Sequence, residues 1–248
     1  MVDTYVSLDL ETTGLNSKYD KIIEIGAVKV KGSIITDTFS MFVKPGKKLS
    51  KKVIELTGIE DEMLAEATEP EEAINQLLHF LEDNILLGHN ILFDYSFVKR
   101  YATNYGYSYE AEAIDTLKIA RTYLTELSSK NLSFLCKHFN IESQAHRAKE
   151  DAIATEKLYK ILKEKYYGQD MEKEPHQRVF VPQKLVYQVK KENFATKRQK
   201  EYLARMIQYH KVFVDYDIES LTRNEASRYT DVIISTYGKM PREKSLYH

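Results

Sequence analysis

Five residues, scattered over the first 151 positions, could do chemistry together. Near the start, the apolar run YVSLDLETTG carries Asp9 and Glu11 one residue apart. With strand alternation, Val6, Leu8 and Leu10 take one face, and Ser7, Asp9 and Glu11 the other. Successive carboxylates on one face repel, and a divalent cation is the usual compensation. Asp94, in GHNILFDYSFVKR, follows a strand end at the start of a helical pattern. His146 and Asp151, in HRAKEDA, lie five residues apart, with Asp151 near the start of the last helix of this part. Strand ends and helix starts face the open edge of an α/β sheet, where sites usually form. Hard oxygen ligands suit Mg2+ or Mn2+. Two such ions roughly 3.5–4 Å apart clamp the attacking and leaving oxygens of an in-line displacement at phosphorus. A histidine of near-neutral pKa takes the proton of the attacking water. The set specifies metal-assisted phosphodiester hydrolysis.

The stretches DLETTG, HNILFD and HRAKEDA, in this order, resemble the three motifs of the DEDDh, or DnaQ-like, 3′–5′ exonucleases, nearest to the proofreading exonuclease of bacterial DNA polymerase III. IIEIGAV and LTGI (Leu56 to Ile59) are similar to that family's connecting segments, and the resemblance spans residues 3 to 165. One motif alone is weak; three in order, with every acid and the histidine present, are a strong signal. The resemblance implies an RNase H-like fold and two Mg2+ or Mn2+ ions. It implies that Asp9 bridges both ions, that Glu11 and Asp151 complete the site holding the attacking water, and that Asp94 serves the second ion. His146 is implied as general base. Thr12, Gly14 and Leu15 would meet the terminal nucleotide, Leu15 as a wedge, and His89, Asn90 and Phe93 would line the cleft. The implied substrate is the 3′ end of DNA, single-stranded above all, with RNA as the alternative, and the implied protein partner is a polymerase catalytic subunit.

Plainer roles exist for several of these residues. Asn90 can serve as the turn after a strand, with His89 packed beside it. Phe93 and Phe97 fit a core, and Leu15 fits a packed loop. Asp115, in AIDTL, reads as a helix N-cap.

The elements that must position this set follow from periodicity. TYVSLDLET, KIIEIGAVKVKG and IITDTFSMFVKP read as three antiparallel strands. EPEEAINQLLHFLED is a helix with Ala73, Leu77, Leu78 and Leu81 inward, and its QLLHFL stretch belongs to that packed face. ILLGHN is a short strand, FDYSFVKRYATNYG a helix stopped by Gly106, EAIDTLKIARTYL a strand running into a helix, and NLSFLCKHFNI another helix. EDAIATEKLYKILKEKYY is the long closing helix. A meander followed by alternating helices and strands gives an α/β domain, a mixed sheet with helices on both faces. Its expected span is 1–167. Residues 168–178 read as a polar linker, and 179–248 as a small, mainly helical module in which ATKRQKEYLARMIQYHK and LTRNEASRYTDVIIST, the latter opened by a Thr222–Glu225 capping box, form helices.

With 248 residues, 43% of them hydrophobic and 29% charged, the chain can bury a core. The single cysteine, Cys136, rules out an internal disulfide framework and fits a reducing compartment. No secretion signal or membrane-length apolar run is visible, so the expected location is cytoplasmic, without a membrane partner. The net charge of −1 divides unequally, about −5 before residue 169 and +4 from there on. Between Arg178 and Lys211 nine basic residues face two acids and interleave with Phe180, Tyr187, Phe194, Tyr202 and Tyr209, a mix that suits single-stranded nucleic acid or else a solvated helical face. The expected function is metal-dependent 3′–5′ hydrolysis of DNA to nucleoside monophosphates, in proofreading, repair or processing. The alternatives are a 3′–5′ RNA exonuclease and a non-catalytic polymerase-accessory or nucleic-acid-binding protein.

Overall fold

The computed structural model of the chain describes residues 3–143 and 146–241. They divide into two compact units. The first comprises residues up to Pro45 and Leu49–Val189, the second Gly46–Lys48 with the chain from Lys190 onward.

The first unit is built on a six-stranded mixed sheet of order β3-β2-β1-β4-β5-β6. Strands β1 (Thr4–Thr12), β2 (Ile22–Lys31) and β3 (Ile34–Phe42) form the expected antiparallel meander. Strand β4 (Ile85–Gly88) runs parallel to β1, and β5 (Glu112–Asp115) parallel to β4. The two-residue β6 (Gln183–Lys184) closes the edge antiparallel to β5. β1 is buried on both faces. Val6, Leu8 and Leu10 pack with helices α2 (Pro70–Leu81) and α3 (Leu92–Tyr105). Tyr5, on the other face, joins the core made with α4 (Thr116–Tyr123), α5 (Leu132–His138) and α6 (Ala148–Met171). The sheet thus carries helices on both faces, as expected, because strands apolar on both sides must be covered twice.

Helix ends follow local chemistry. Asp115 caps α4 by accepting the Leu117 amide at 2.9 Å, and Gly106 ends α3 in the left-handed conformation (φ 89°). A helix not foreseen, α1 (Lys51–Thr57), runs from the Ser50 cap to Gly58 and seats Val53 beside Ile23, Leu49, Ile59 and Leu64.

The stretch 168–178, expected as a linker, is tied into the first unit instead. Helix α6 continues to Met171. The buried Asp170 accepts the amides of Val179 and Phe180, each at 3.0 Å, and the Tyr123 hydroxyl at 2.8 Å. Its polar composition hid a single buried carboxylate that organises the following loop and seats Phe180 in the core. No described helix is long and apolar enough to cross a membrane.

The second unit packs α7 (Lys197–His210) against α8 (Arg223–Tyr237), with Leu203, Met206, Leu221, Ala226 and Ile233 as its core. Both helices open with a capping box, Thr196–Gln199 and the expected Thr222–Glu225. Gly46–Lys48 belongs here through backbone hydrogen bonds from Asp217 to Gly46 and from Lys48 to Asp215.

Candidate active site

The candidate site forms where β1 and β4 part. Their parallel pairing covers only Tyr5–Ser7, so the far end of β1 is unpaired on that side. There the Leu10 amide donates to Asp94 Oδ1 at 3.1 Å. One hydrogen bond therefore fixes the first turn of α3 to the acid-bearing end of β1. The reversal of strand direction around β1 makes this the sheet's switch point, where open α/β sheets form their crevices.

On the opposite side of β1, Ser7 Oγ donates to the Ala152 carbonyl of α6 at 2.8 Å, so α6 lies along the face that carries Asp9 and Glu11. Gly26 of β2, the register partner of Asp9, permits this approach, since a Cβ there would overlap the backbone of Ala148 and Lys149. Asp151 stands in the first turn of α6 and accepts the backbone amide of His146 at 2.8 Å. His146 adopts a left-handed conformation (φ 65°), unfavourable for a non-glycine residue and held here by that bond. The outcome is convergence: one ligand atom each from Glu11, His146 and Asp151 lie within 4.8 Å of one another.

The four carboxylates repel strongly. Burial, then repulsion from Asp94, Asp151, Glu11 and Glu24, holds the Asp9 carboxyl well above the usual carboxylate range. Asp94 is raised by burial against the opposing effect of its amide hydrogen bonds. Burial, Asp151 and Glu24 push Glu11 up to about 8, although Arg147 pulls it down. Asp151 is also raised, chiefly by burial. A cluster of buried carboxylates with a single imidazole is a hard, oxygen-rich donor set, and its residues fit a divalent cation of the Mg2+ or Mn2+ kind.

Glu24 and Arg147 were not among the residues singled out from the sequence. Glu24, 2% exposed, sits directly across from Glu11 in the β1–β2 register. Two acids in such a pair destabilise a sheet unless one is neutralised. Arg147 does this, with Nη2 2.9 Å and Nε 3.3 Å from Glu24 Oε1, while Glu24 Oε2 accepts the Ala148 amide at 3.1 Å. Glu24 thereby anchors the backbone between His146 and the start of α6. The signal for it was an acid within the otherwise apolar run IIEIGAV.

The surrounding candidates divide. Thr12 Oγ1 donates to the Gly14 carbonyl at 2.6 Å, closing the turn after β1. Gly14 leaves room for the Asp20 carboxylate, which accepts the Asn16 amide at 2.9 Å. Leu15 projects from this turn and is 87% exposed. Phe93 is half-buried against Phe97, their ring centroids 5.1 Å apart. Asn90 is exposed, with φ 72°, and its amide donates to Asp115 at 2.9 Å. His89 has both ring nitrogens engaged. Nε2 donates to the Lys130 carbonyl at 2.7 Å, and Nδ1 faces Thr116 Oγ1 at 2.9 Å. Burial lowers its pKa, and its two ring contacts brace the loop. Asp115 combines the N-cap expected of it with the support of the Asn90 turn.

The family model described as Exonuclease matches residues 6–159. The DNA polymerase III PolC-type of Bacillus subtilis is 43% identical over 167 residues, 65% of this chain and 11% of that protein. The PolC-type polymerase of Oceanobacillus iheyensis is 41% identical over 180 residues, 70% of this chain and 13% of that protein. The chain therefore spans only a small part of the length of these curated relatives. A solved structure of exonuclease I superposes with a TM-score of 0.62 at 20% identity, covering 68% of this chain and 43% of that one, which shows a shared fold.

Proposed function

The chain belongs to the exonuclease family, and on that premise we propose that it is a divalent-metal-dependent 3′–5′ exonuclease of the DEDDh, DnaQ-like branch that releases nucleoside monophosphates from DNA. The observation that carries this reading is the convergence of Glu11, His146 and Asp151, with the mutually repelling Asp9 and Asp94 beside them. Asp9, Glu11, Asp94 and Asp151 would hold two ions, Mg2+ or Mn2+. When bound, such ions stabilise charge on the scissile phosphate and make water a better nucleophile near neutral pH.

The chain's own residues supply the rest. His146 takes the proton of the attacking water at an imidazole nitrogen, and the Asp151 contact to its backbone amide fixes where that ring starts. Glu24 and Arg147 hold the same backbone from the β2 side. Thr12, Gly14 and Leu15 meet the terminal nucleotide, with the exposed Leu15 positioned to wedge against its base. Asn90 and Phe93 border the cleft, and His89 braces it. Likeness to PolC-type polymerases favours DNA and a place in proofreading, with a polymerase catalytic subunit as the partner.

The test is a competition between 5′-labelled single strands of DNA and RNA of matched sequence, in Mg2+, with His146→Ala alongside. The expected result is a ladder shortening from the 3′ end of DNA and absent in the variant. A ladder on RNA alone would move the chain to RNA turnover. No ladder on either would leave only a binding role.

A further inference from the structure

We propose that one face of α7, continued onto the end of α8, binds single-stranded nucleic acid in its own right. Arg198, Tyr202, Arg205 and Tyr209 follow one another at spacings of four, three and four, so all four lie within one narrow stripe of the helix. Cation and ring alternate along it over about 16 Å. The stripe borders, but does not coincide with, the face that buries Leu203 and Met206, and only Tyr202 leans on that core.

The charges on this stripe are available. Lys197 pairs with Glu201 at 3.9 Å and Lys200 with Glu219 at 2.7 Å. Arg198 and Arg205 are exposed and make no ion pair among the described residues. Of the two rings, Tyr209 is equally available, whereas Tyr202 is half-buried. Tyr209 is 55% exposed, its ring edge-on to His210 at 4.8 Å, and His210 stacks on Tyr237 at 5.6 Å. Tyr237 is itself 54% exposed, and Phe213, just beyond the helix, is 84% exposed.

Guanidinium groups suit phosphates, and flat exposed rings suit unstacked bases. Phe180 and Tyr187, which the sequence places in the same basic stretch, take no part. Phe180 is buried in the first unit, and the Tyr187 hydroxyl lies 2.8 Å from Ser17 Oγ. Phosphates and bases are common to DNA and RNA, so the stripe by itself does not choose the sugar.

The experiment uses the full chain in EDTA, so that no strand is cut, with fluorescein-labelled oligo(dT) and oligo(rU) of thirty nucleotides and anisotropy as the readout. Arg198→Ala with Arg205→Ala should raise Kd about tenfold and reduce the slope of log Kd against log salt by about 1.4, two phosphates at ~0.7 each. Tyr209→Ala should raise Kd about tenfold without changing the slope. Lys118→Ala with Lys165→Ala, an equal charge change in the first unit, should leave Kd within twofold. Melting temperatures confirm that each variant is folded. Unchanged Kd and slope in the arginine pair, an equal loss in the lysine pair, or a base-free polyphosphate competing as well as oligo(dT) while Tyr209→Ala is silent would each overturn the proposal. Because binding is read without turnover, a chain that binds through this stripe and cuts nothing sinks only the exonuclease reading. A chain that cuts DNA with its Kd indifferent to these changes sinks only this one.

Discussion

The acids around Asp9 are placed against their own electrostatic interest, and that makes their removal informative. Asp94 is held high in pKa by burial, with Glu11 adding repulsion. Asp94→Asn keeps an acceptor for the Leu10 amide but deletes a charge. In the absence of divalent metal it should raise the melting temperature by a few degrees, while hydrolysis falls by more than about a hundredfold, since even outer-shell changes at metal sites cost 10–100-fold. A fall in metal-free melting temperature would show that the cluster is not strained. Glu11 gives the matching pH dependence. Its folded pKa is about 8, against roughly 4.3 in an unfolded chain. Below the lower value both states are protonated. Between the two, the unfolded state releases a proton that the folded state keeps, so metal-free stability declines as pH rises toward 8. The melting-temperature advantage of Glu11→Gln in EDTA should therefore widen between pH 5 and pH 8, and a constant gap would contradict the assignment. Removing the Glu24 charge should destabilise instead, because that carboxylate has a partner in Arg147. Glu24→Gln should cost about 1.5–3 kcal/mol in denaturant unfolding through its lost charge-assisted bonds to Arg147. It should also lower kcat more than it raises KM, because the damage is to placement of His146 rather than to substrate contact.

At the scale of elements, the reading from sequence succeeds where a pattern is long enough to repeat and fails where structure is imposed from outside. The alternation in β1 and the spacing in α2 were legible because each buries a face over nine or more residues. Helix α1 is seven residues long, and its Ser50 and Gly58 caps are stronger signals than its own periodicity. β6 has no local signal at all. Two polar residues, Gln183 and Lys184, become a strand only because β5 offers an edge. The candidate site shows the same division. Residue types and order singled out Asp9, Glu11, Asp94, His146 and Asp151 as candidates, and three of them, Glu11, His146 and Asp151, converge. The role of Glu24 depends on cross-strand register, and the bracing role of His89 on a carbonyl forty-one residues away. Gly26 is the element-scale counterpart, since it lets the start of α6 press onto β2. Gly26→Ala should push that start away and carry His146 and Asp151 with it. Overpacking of this kind costs about 1–3 kcal/mol. A misplacement approaching 1 Å costs about a hundredfold in rate. Stopped-flow hydrolysis with parallel urea unfolding would check both, and a stability loss without a rate loss would show that the site tolerates the shift.

For the whole molecule, the composition shift from acidic to basic marks a division that the backbone draws later in the chain than the charge does. The linker suggested by the polar stretch 168–178 would make Tyr167 a natural place to end the first unit, but Asp170, Phe180 and Leu185 all belong to that unit's interior. Two truncations separate these views. A chain ending at Tyr167 loses Phe180 and Leu185 from the core, each worth about 1.5–3 kcal/mol, together with the amide and hydroxyl contacts of Asp170. That sum, about 3–6 kcal/mol before any hydrogen bonds, rivals the ~5–15 kcal/mol by which domains of this size are stable. This truncation should be unfolded or aggregated at 37 °C. A chain ending at Val189 keeps every one of these contacts and should melt cooperatively, with the Gly46–Lys48 loop deprived of its backbone partners. Circular dichroism melts of the two would decide the matter. Equal stability would mean that the Asp170 anchor is dispensable and that the first unit ends where the composition changes; a folded longer chain beside an unfolded shorter one would place the boundary beyond Tyr167, in keeping with the packing of Leu185 and Tyr187 on the first unit's core.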